Sequence, residues 1–277
     1  MRLAPLFASV PRANSAVTME PNLTMSPDDR LKHLQRILSP QIDRPTFAAS
    51  ISTRRSVENG RATECIATLD LEELRGLVFK GIPEINSEHL RPLAWRVLLG
   101  VVKGGPHEWP DQLRDRRADY HRWKQDFVGG TSSCRGGGNV RTEDENRRDI
   151  FLMKDIEKDV SRTRSELEFF SGGSIAQQQM LYILFVFAKL HPEVGYIQGM
   201  NEILAPIVYV CSTDPSAVQA FEVEADTFHI FASIMASLKV LYGRTPNEPL
   251  KSGANLQLSR FAQLLRQHDA ALWQHLV

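Results

Sequence analysis

Apolar residues return at helical spacing in most segments from residue 71 onward, and this periodicity limits the fold more than any other feature. It predicts helices at 71–80, 87–102, 111–127, 149–163, 177–190, 197–210, 217–242 and 254–276. Pro206 is expected to kink or interrupt the helix that contains it. The sequence shows no β-hairpin signal and no internal repeat. We therefore predict an all-α, multi-helical fold with irregular loops.

Composition excludes several classes of protein. Of the 277 residues, 42% are hydrophobic and 24% charged, which is sufficient for a sizeable core. Lys+Arg and Asp+Glu each number 33, which argues against a broad nucleic-acid-binding surface or a polybasic membrane anchor. Cys65, Cys134 and Cys211 form no CxxC pair, so we expect a reducing compartment and neither disulfides nor a zinc site. No apolar run of membrane-spanning length occurs, so no transmembrane segment is expected.

The chain divides into two predicted regions. Residues 1–70 are expected to be a flexible extension with a short helix at 27–38, followed by a Pro- and Ser-rich linker at 40–63. The opening "MRLAPLFASVPRANSAVT" has arginines and no acid, a weak likeness to a mitochondrial import signal. A disordered tail, or translation starting at Met19 or Met25, explains it with fewer assumptions. A glycine-rich flexible loop is predicted at 128–148, without the Lys-Ser/Thr of a phosphate-binding loop.

Three motifs follow one another along the helical region. They are RxxxW at Arg91 and Trp95, IxxDxxR at Ile156, Asp159 and Arg162, and YxQGM at Tyr196, Gln198, Gly199 and Met200. Taken singly, each has an ordinary structural explanation. An Arg–Trp pair one turn apart is usually a packing contact, and an Asp–Arg pair is usually a solvated ion pair. The glutamine alone would be a polar turn residue, so the order of the three motifs carries the signal.

In this order the motifs resemble the TBC domain, the all-helical family of Rab GTPase-activating proteins. The stretches "GIP…LRPLAW", "VGYIQGMNEIL" and "EADTFHIFASIM" resemble the same family. The nearest likeness is to the subfamily of TBC1 domain family member 13, with its "KDV", "EFF" and "TDP" stretches. The resemblance implies a TBC domain over residues 71–277. The family continues with further helices after this point, so the domain is expected to be incomplete at its C-terminus.

The resemblance also implies a mechanism. Arg162 would be an arginine finger that neutralises charge on the transferred phosphoryl group, for which a planar, permanently charged guanidinium is suited. Gln198 would be a glutamine finger that orients the attacking water, because an amide both donates and accepts hydrogen bonds. Asp159 would orient Arg162, with a surface ion pair as the alternative. The polar run around Gln198 would then interrupt an apolar region because a finger needs a rigid mounting.

The other motif residues would support the fingers. Tyr196 and Asn201 are expected to hold the glutamine segment, and Gly199 to permit close approach of another backbone. Arg91 and Trp95 are expected to pin an early helix to the fold.

The partner implied is a Rab GTPase in its GTP-bound form, and GTP and Mg²⁺ would belong to that partner. The chain itself would be no enzyme and would need no cofactor or metal. It would act in vesicle trafficking, in the cytoplasm and peripherally on endomembranes through the partner. The alternative function is a catalytically silent helical module that binds a GTPase or a scaffold protein.

Overall fold

The computed structural model describes residues 25–38, 69–83, 89–129, 142–214, 217, 219–242 and 253–276. Within these residues every regular element is helical, so the predicted all-α fold is confirmed. The helices are α1 Pro27–Leu38, α2 Leu71–Val78, α3 Leu90–Leu98, α4 Trp109–Val128, α5 Glu143–Arg162, α6 Ile175–Leu190, α7 Met200–Ser212, α8 Ala220–Tyr242, α9 Gly253–His268 and α10 Ala270–Leu276. Short 3-10 turns lie at Pro106–Glu108 and Glu168–Phe170. No helix in the described ranges combines the length and the hydropathy needed to span a bilayer.

The chain forms two compact units. The first comprises Met1–Trp123 and Pro206–Ile230, and the second comprises Lys124–Ala205 and Phe231–Val277. Helices α4, α7 and α8 contribute residues to both. The predicted linker at 40–63, Cys65 and Cys134 lie outside the described residues.

Helix α1 is part of the core of the first unit. Its Leu34 and Leu38 are fully buried in an apolar cluster with residues of α2 and α3. His33 Nε2 lies 2.7 Å from Glu73 Oε1 of α2. The prediction of a flexible extension is therefore wrong for residues 27–38, although the helix itself lies at the predicted residues. A helix this short is marginal by itself in water and is stabilised by burying its apolar face.

A buried ionic network crosses the first unit. The Arg96 guanidinium donates to Asp214 at 2.6 Å and to Asp226 at 2.7 Å. Arg117 donates to the same Asp226 at 2.9 and 2.7 Å, and to Glu222 at 2.8 Å. Each of the three carboxylates thus contacts at least one of the two guanidinium groups, in a region where an unpaired charge would be costly. Sequence reasoning did not single out Arg96.

The second unit is built around α6, whose residues 183–188 are all buried. Lys189 near the end of α6 pairs with Asp149 of α5 at 2.7 Å. Helix α5 begins at Glu143, five residues before the predicted end of the glycine-rich loop. The cause is a capping box, in which Thr142 accepts from the Glu145 amide and Glu145 accepts from the Thr142 amide.

Helix α7 and the pair α9 and α10 each show one further feature. Helix α7 continues through Pro206 without interruption. The cost of proline in a helix interior, about 3 kcal/mol, is offset by burial of its neighbours Ala205 and Ile207. The apolar stripe of α9 and α10 lies mainly at the surface, since only Leu265 among its members is half-buried. The exposed members are Leu258, Phe261, Leu272 and Leu276. The two helices pack against each other, and no other described element covers this stripe.

Candidate functional site

The last turn of α5 carries the IxxDxxR motif. Ile156 is completely buried and Asp159 is 8% exposed, whereas the Arg162 side chain is 56% exposed. Arg162 Nη2 donates to Asp159 Oδ1 at 2.7 Å. Asp159 is therefore a buried carboxylate rather than a member of a solvated surface pair. One turn of helix separates the two residues, so the carboxylate anchors the guanidinium at the end of the helix.

A second bond joins this carboxylate to the YxQGM motif. The Tyr196 hydroxyl donates to Asp159 Oδ2 at 2.7 Å. Burial, together with the hydrogen bond to Asp159 and its charge, raises the pKa of Tyr196 above its ordinary value. The hydroxyl therefore keeps its proton at physiological pH and remains a donor. Asp159 thus holds Arg162 with one oxygen and Tyr196 with the other.

The segment between α6 and α7 presents Gln198. His191 follows the last residue of α6, is buried and packs against Phe187 in a tilted arrangement with ring centroids 4.6 Å apart. Met200 is buried at the start of α7. Between them Gln198 is exposed, and its carboxamide forms no hydrogen bond with any residue that the structure describes.

Gly199 enters α7 with φ +101°, in the region that favours glycine. A Cβ built at this position would meet no heavy atom within 4 Å. Among the described residues, no other backbone therefore approaches Gly199 closely. Glycine is required here for the backbone conformation that carries the chain from Gln198 into the helix.

Asn201 and Thr163 form a second connection between the two segments. Asn201 Oδ1 accepts from the Gly199 amide at 3.0 Å, and Asn201 Nδ2 donates to Thr163 Oγ1 at 2.7 Å. Thr163 Oγ1 donates to the Asp159 carbonyl at 2.8 Å. Both side chains are buried. Sequence reasoning assigned Asn201 a supporting role but missed Thr163, since nothing in the local pattern distinguishes this threonine.

The remaining predicted site residues, Arg91 and Trp95, lie in α3 of the first unit and are both half-buried. Arg91 Nη2 donates to the Ile82 carbonyl at 3.3 Å, which ties α3 to the segment that follows α2.

The groups that the second unit exposes define what the site can do. A guanidinium can neutralise phosphate oxygens, and a carboxamide can orient a water molecule. Within the described ranges, no three His, Cys, Asp or Glu side chains are grouped so that they could hold a metal ion. Cys211, in the first unit, is a buried free thiol whose pKa is raised to about 11, chiefly by burial.

An all-helical fold with these motifs defines a class of protein, and comparison with known sequences identifies it. The chain belongs to the Rab-GTPase-TBC domain family, whose sequence profile matches residues 88–277. The predicted family membership is thereby confirmed.

Individual relatives are similar over part of their length. Human TBC1 domain family member 13 is 30% identical over 135 residues, covering 48% of this chain and 34% of the human protein. GTPase-activating protein GYP1 of Saccharomyces cerevisiae is 26% identical over 225 residues, covering 75% of this chain and 32% of the yeast protein. The chain thus spans about a third of the length of these relatives. The predicted likeness to TBC1 domain family member 13 is confirmed.

The fold is similar to a solved one. The crystal structure of the Ypt/Rab-GAP domain of Gyp1p superposes with a TM-score of 0.64 at 21% identity. The match covers 91% of this chain and 68% of that chain.

Proposed function

We propose that this chain is a GTPase-activating protein for Rab-family GTPases that supplies Arg162 and Gln198 in trans. The observation that carries the proposal is the contrast between these two side chains and their neighbours. Both are exposed, while Asp159, Tyr196, Thr163 and Asn201 are joined to one another by hydrogen bonds. Family membership and the name of the yeast relative support the same activity.

Arg162 would supply the positive charge. Hydrolysis of GTP spreads negative charge over the transferred phosphoryl group, and an inserted arginine accelerates the reaction about 10³–10⁵-fold, or about 4–7 kcal/mol. The bond from Nη2 to Asp159 leaves Nη1 and Nε without a partner among the described residues. These two donors would be available to phosphate oxygens. Asp159 would preset the direction of the side chain, which lowers the entropy lost on insertion.

Gln198 would act on the attacking water. A neutral carboxamide can accept from the water and donate to a neighbouring oxygen without competing with the arginine for charge. Its backbone neighbour Gly199 is held by Asn201, so the side chain projects from a fixed base. In this function GTP and Mg²⁺ stay with the Rab, which is engaged in its GTP-bound form. Action in vesicle trafficking, in the cytoplasm and peripherally on endomembranes, follows from that partner.

The test is single-turnover GTP hydrolysis on a panel of Rab proteins. Arg162→Ala is expected to lower the stimulated rate at least 10³-fold, and Gln198→Ala to lower it substantially. Arg164→Ala is a matched control, because Arg164 is also exposed and also paired to one carboxylate, Glu202, at 3.2 Å. It should remain close to wild type. Equal rates for wild type and Arg162→Ala, or equal losses for both arginine variants, would rule the assignment out.

A silent binding module is the second candidate, and one observation favours it. The exposed apolar stripe of α9 and α10 is a surface of the kind that binds other proteins. This candidate predicts that the chain binds a GTP-loaded Rab or a scaffold protein and leaves the hydrolysis rate unchanged. Measuring binding and hydrolysis on the same samples separates the two functions.

A further inference from the structure

We propose that the buried Thr163–Asn201 hydrogen bond is a positioning latch that sets the spacing between the arginine and glutamine fingers. Its consequence for catalysis rests on the proposed function, but the latch itself is a property of this chain. Neither residue would touch the substrate. Both would act through the backbones that carry Arg162 and Gln198.

The latch is the middle link of a continuous chain of contacts. On one side, Thr163 follows Arg162 directly and its hydroxyl donates to the Asp159 carbonyl at 2.8 Å. On the other side, the Gly199 amide donates to Asn201 Oδ1 at 3.0 Å. The 2.7 Å bond from Asn201 Nδ2 to Thr163 Oγ1 joins the two sides across 38 residues of sequence.

The hydrogen-bonding capacities of the two groups fix the direction of each bond. A hydroxyl has a single proton, and that of Thr163 goes to a carbonyl, which has none to offer. The Thr163 oxygen can therefore only accept from Asn201. This requires the amide nitrogen of Asn201 to face Thr163 and the amide oxygen to face the Gly199 N–H. Thr163 and Asn201 are 1% and 4% exposed, so water cannot readily replace any of these bonds.

A second link explains why the latch matters for geometry. Asp159 and Tyr196 already join the same two segments, at 2.7 Å. Asp159 and Thr163 lie on either side of the arginine finger, Arg162, in sequence. Tyr196 and Asn201 likewise lie on either side of the glutamine finger. One link alone would leave a pivot about which the segments could rotate. Two links that flank both fingers in sequence restrict that rotation more than either would alone, and well-held geometry is what positioned groups contribute to catalysis.

The test variants change only the hydroxyl. Thr163→Val keeps the shape of the side chain and removes the hydroxyl, whereas Thr163→Ser keeps the hydroxyl and should rescue the function. Ser161→Ala is the matched control, since the Ser161 hydroxyl also donates to a carbonyl of its own helix, that of Lys158 at 2.9 Å. Thermal melting establishes that each variant is folded. If Thr163→Val does not fold, Thr163→Ala tests the same loss in a smaller side chain.

The first measurement needs no GTPase. Hydrogen exchange of the Gly199 amide, followed by NMR, should be about tenfold faster in Thr163→Val than in wild type, because its acceptor Asn201 is no longer held. Exchange should return to the wild-type rate in Thr163→Ser and be unaffected in Ser161→Ala. The latch would be refuted if the exchange rate of the Gly199 amide in Thr163→Val equalled that of wild type. It would also be refuted if Thr163→Val and Thr163→Ser changed this rate equally.

The second measurement links the latch to the fingers. Thr163→Val should lower the stimulated rate of GTP hydrolysis about tenfold with little change in KM. In a Gln198→Ala background the same substitution should have a much smaller effect, because the glutamine that it positions is gone. An equal loss in both backgrounds would show a general structural role and refute the proposal. If wild type activates no Rab, the proposed function fails. The exchange rate of the Gly199 amide would still test the latch, because that measurement needs no GTPase.

Discussion

The buried side chain of His229 makes the free energy of unfolding of this protein depend on pH. The ring is buried in α8, and its Nε2–H donates to the Arg116 carbonyl at 2.8 Å. It packs against the rings of Trp123 and Phe228, with centroids 6.1 and 5.3 Å away. Burial is the main cause that lowers the pKa of His229 from 6.5 to about 4.

The sign follows from proton uptake by the two states. As pH falls below 6.5 the unfolded chain protonates this histidine, while the folded protein resists protonation until about pH 4. Folding stability that is present above pH 6.5 is therefore lost as the pH falls through this window. Lowering the pKa of His229 from 6.5 to about 4 corresponds to about 3 kcal/mol of folding stability, and about 2 kcal/mol of it is lost between pH 7 and pH 5.

The assay is urea unfolding at pH 7, 6 and 5 for wild type and His229→Gln, whose amide can still donate but does not titrate. Other groups titrate in both proteins, so the difference in unfolding free energy isolates the histidine. That difference should change by about 2 kcal/mol between pH 7 and pH 5, with wild type losing more. A constant difference between wild type and His229→Gln would refute the reasoning.

Three further predictions concern other parts of the chain. Arg96→Met should cost about 3–5 kcal/mol in urea unfolding at pH 7 because it removes the guanidinium paired with buried Asp214 and one of the two paired with buried Asp226, whereas Arg122→Met, at an exposed ion pair, should cost under about 1 kcal/mol. Gly199→Ala should cost about 1–3 kcal/mol by the same assay through its backbone conformation alone, while Gly76→Ala inside α2 should be neutral or stabilising; equal effects would contradict this. Tyr196→Phe should lower the stimulated rate of GTP hydrolysis about tenfold in single-turnover assays, since it removes a hydrogen bond to a charged carboxylate, and a rate equal to wild type would count against that role.

Apolar periodicity predicted the helices well where the whole pattern lay within one continuous segment. The periodic stretches at 149–163 and 177–190 became α5 and α6, with ends shifted by a few residues. The early start of α5 depended on the capping interaction between Thr142 and Glu145. This interaction was not predicted, because the surrounding polar sequence is also typical of a loop. The stripe at Leu258 and Phe261 had the correct period but remained exposed, because a period shows which residues share a face and not what covers it.

The candidate site was predicted only in part. Resemblance pointed to Arg162 and Gln198, and the structure places both at the surface of the second unit. The hydrogen bonds Tyr196–Asp159 and Asn201–Thr163 join residues that are 37 and 38 positions apart in sequence. No local pattern indicates that a threonine after α5 will meet an asparagine in α7, so Thr163 was missed. The left-handed backbone angle of Gly199 was not predicted for a related reason, since it depends on the path of the whole turn.

The sequence by itself determined the helical architecture and the balance of charge, because these follow from composition and short-range periodicity, whereas the candidate residues Arg162 and Gln198 came from resemblance to a family. The tertiary structure decided which polar groups are inside. Arg96 and Arg162 both lie on amphipathic helices, yet Arg96 is buried and Arg162 is exposed. The difference arises because Arg96 meets a carboxylate 118 residues further along the chain, and a charge can be buried only where folding brings its partner to it.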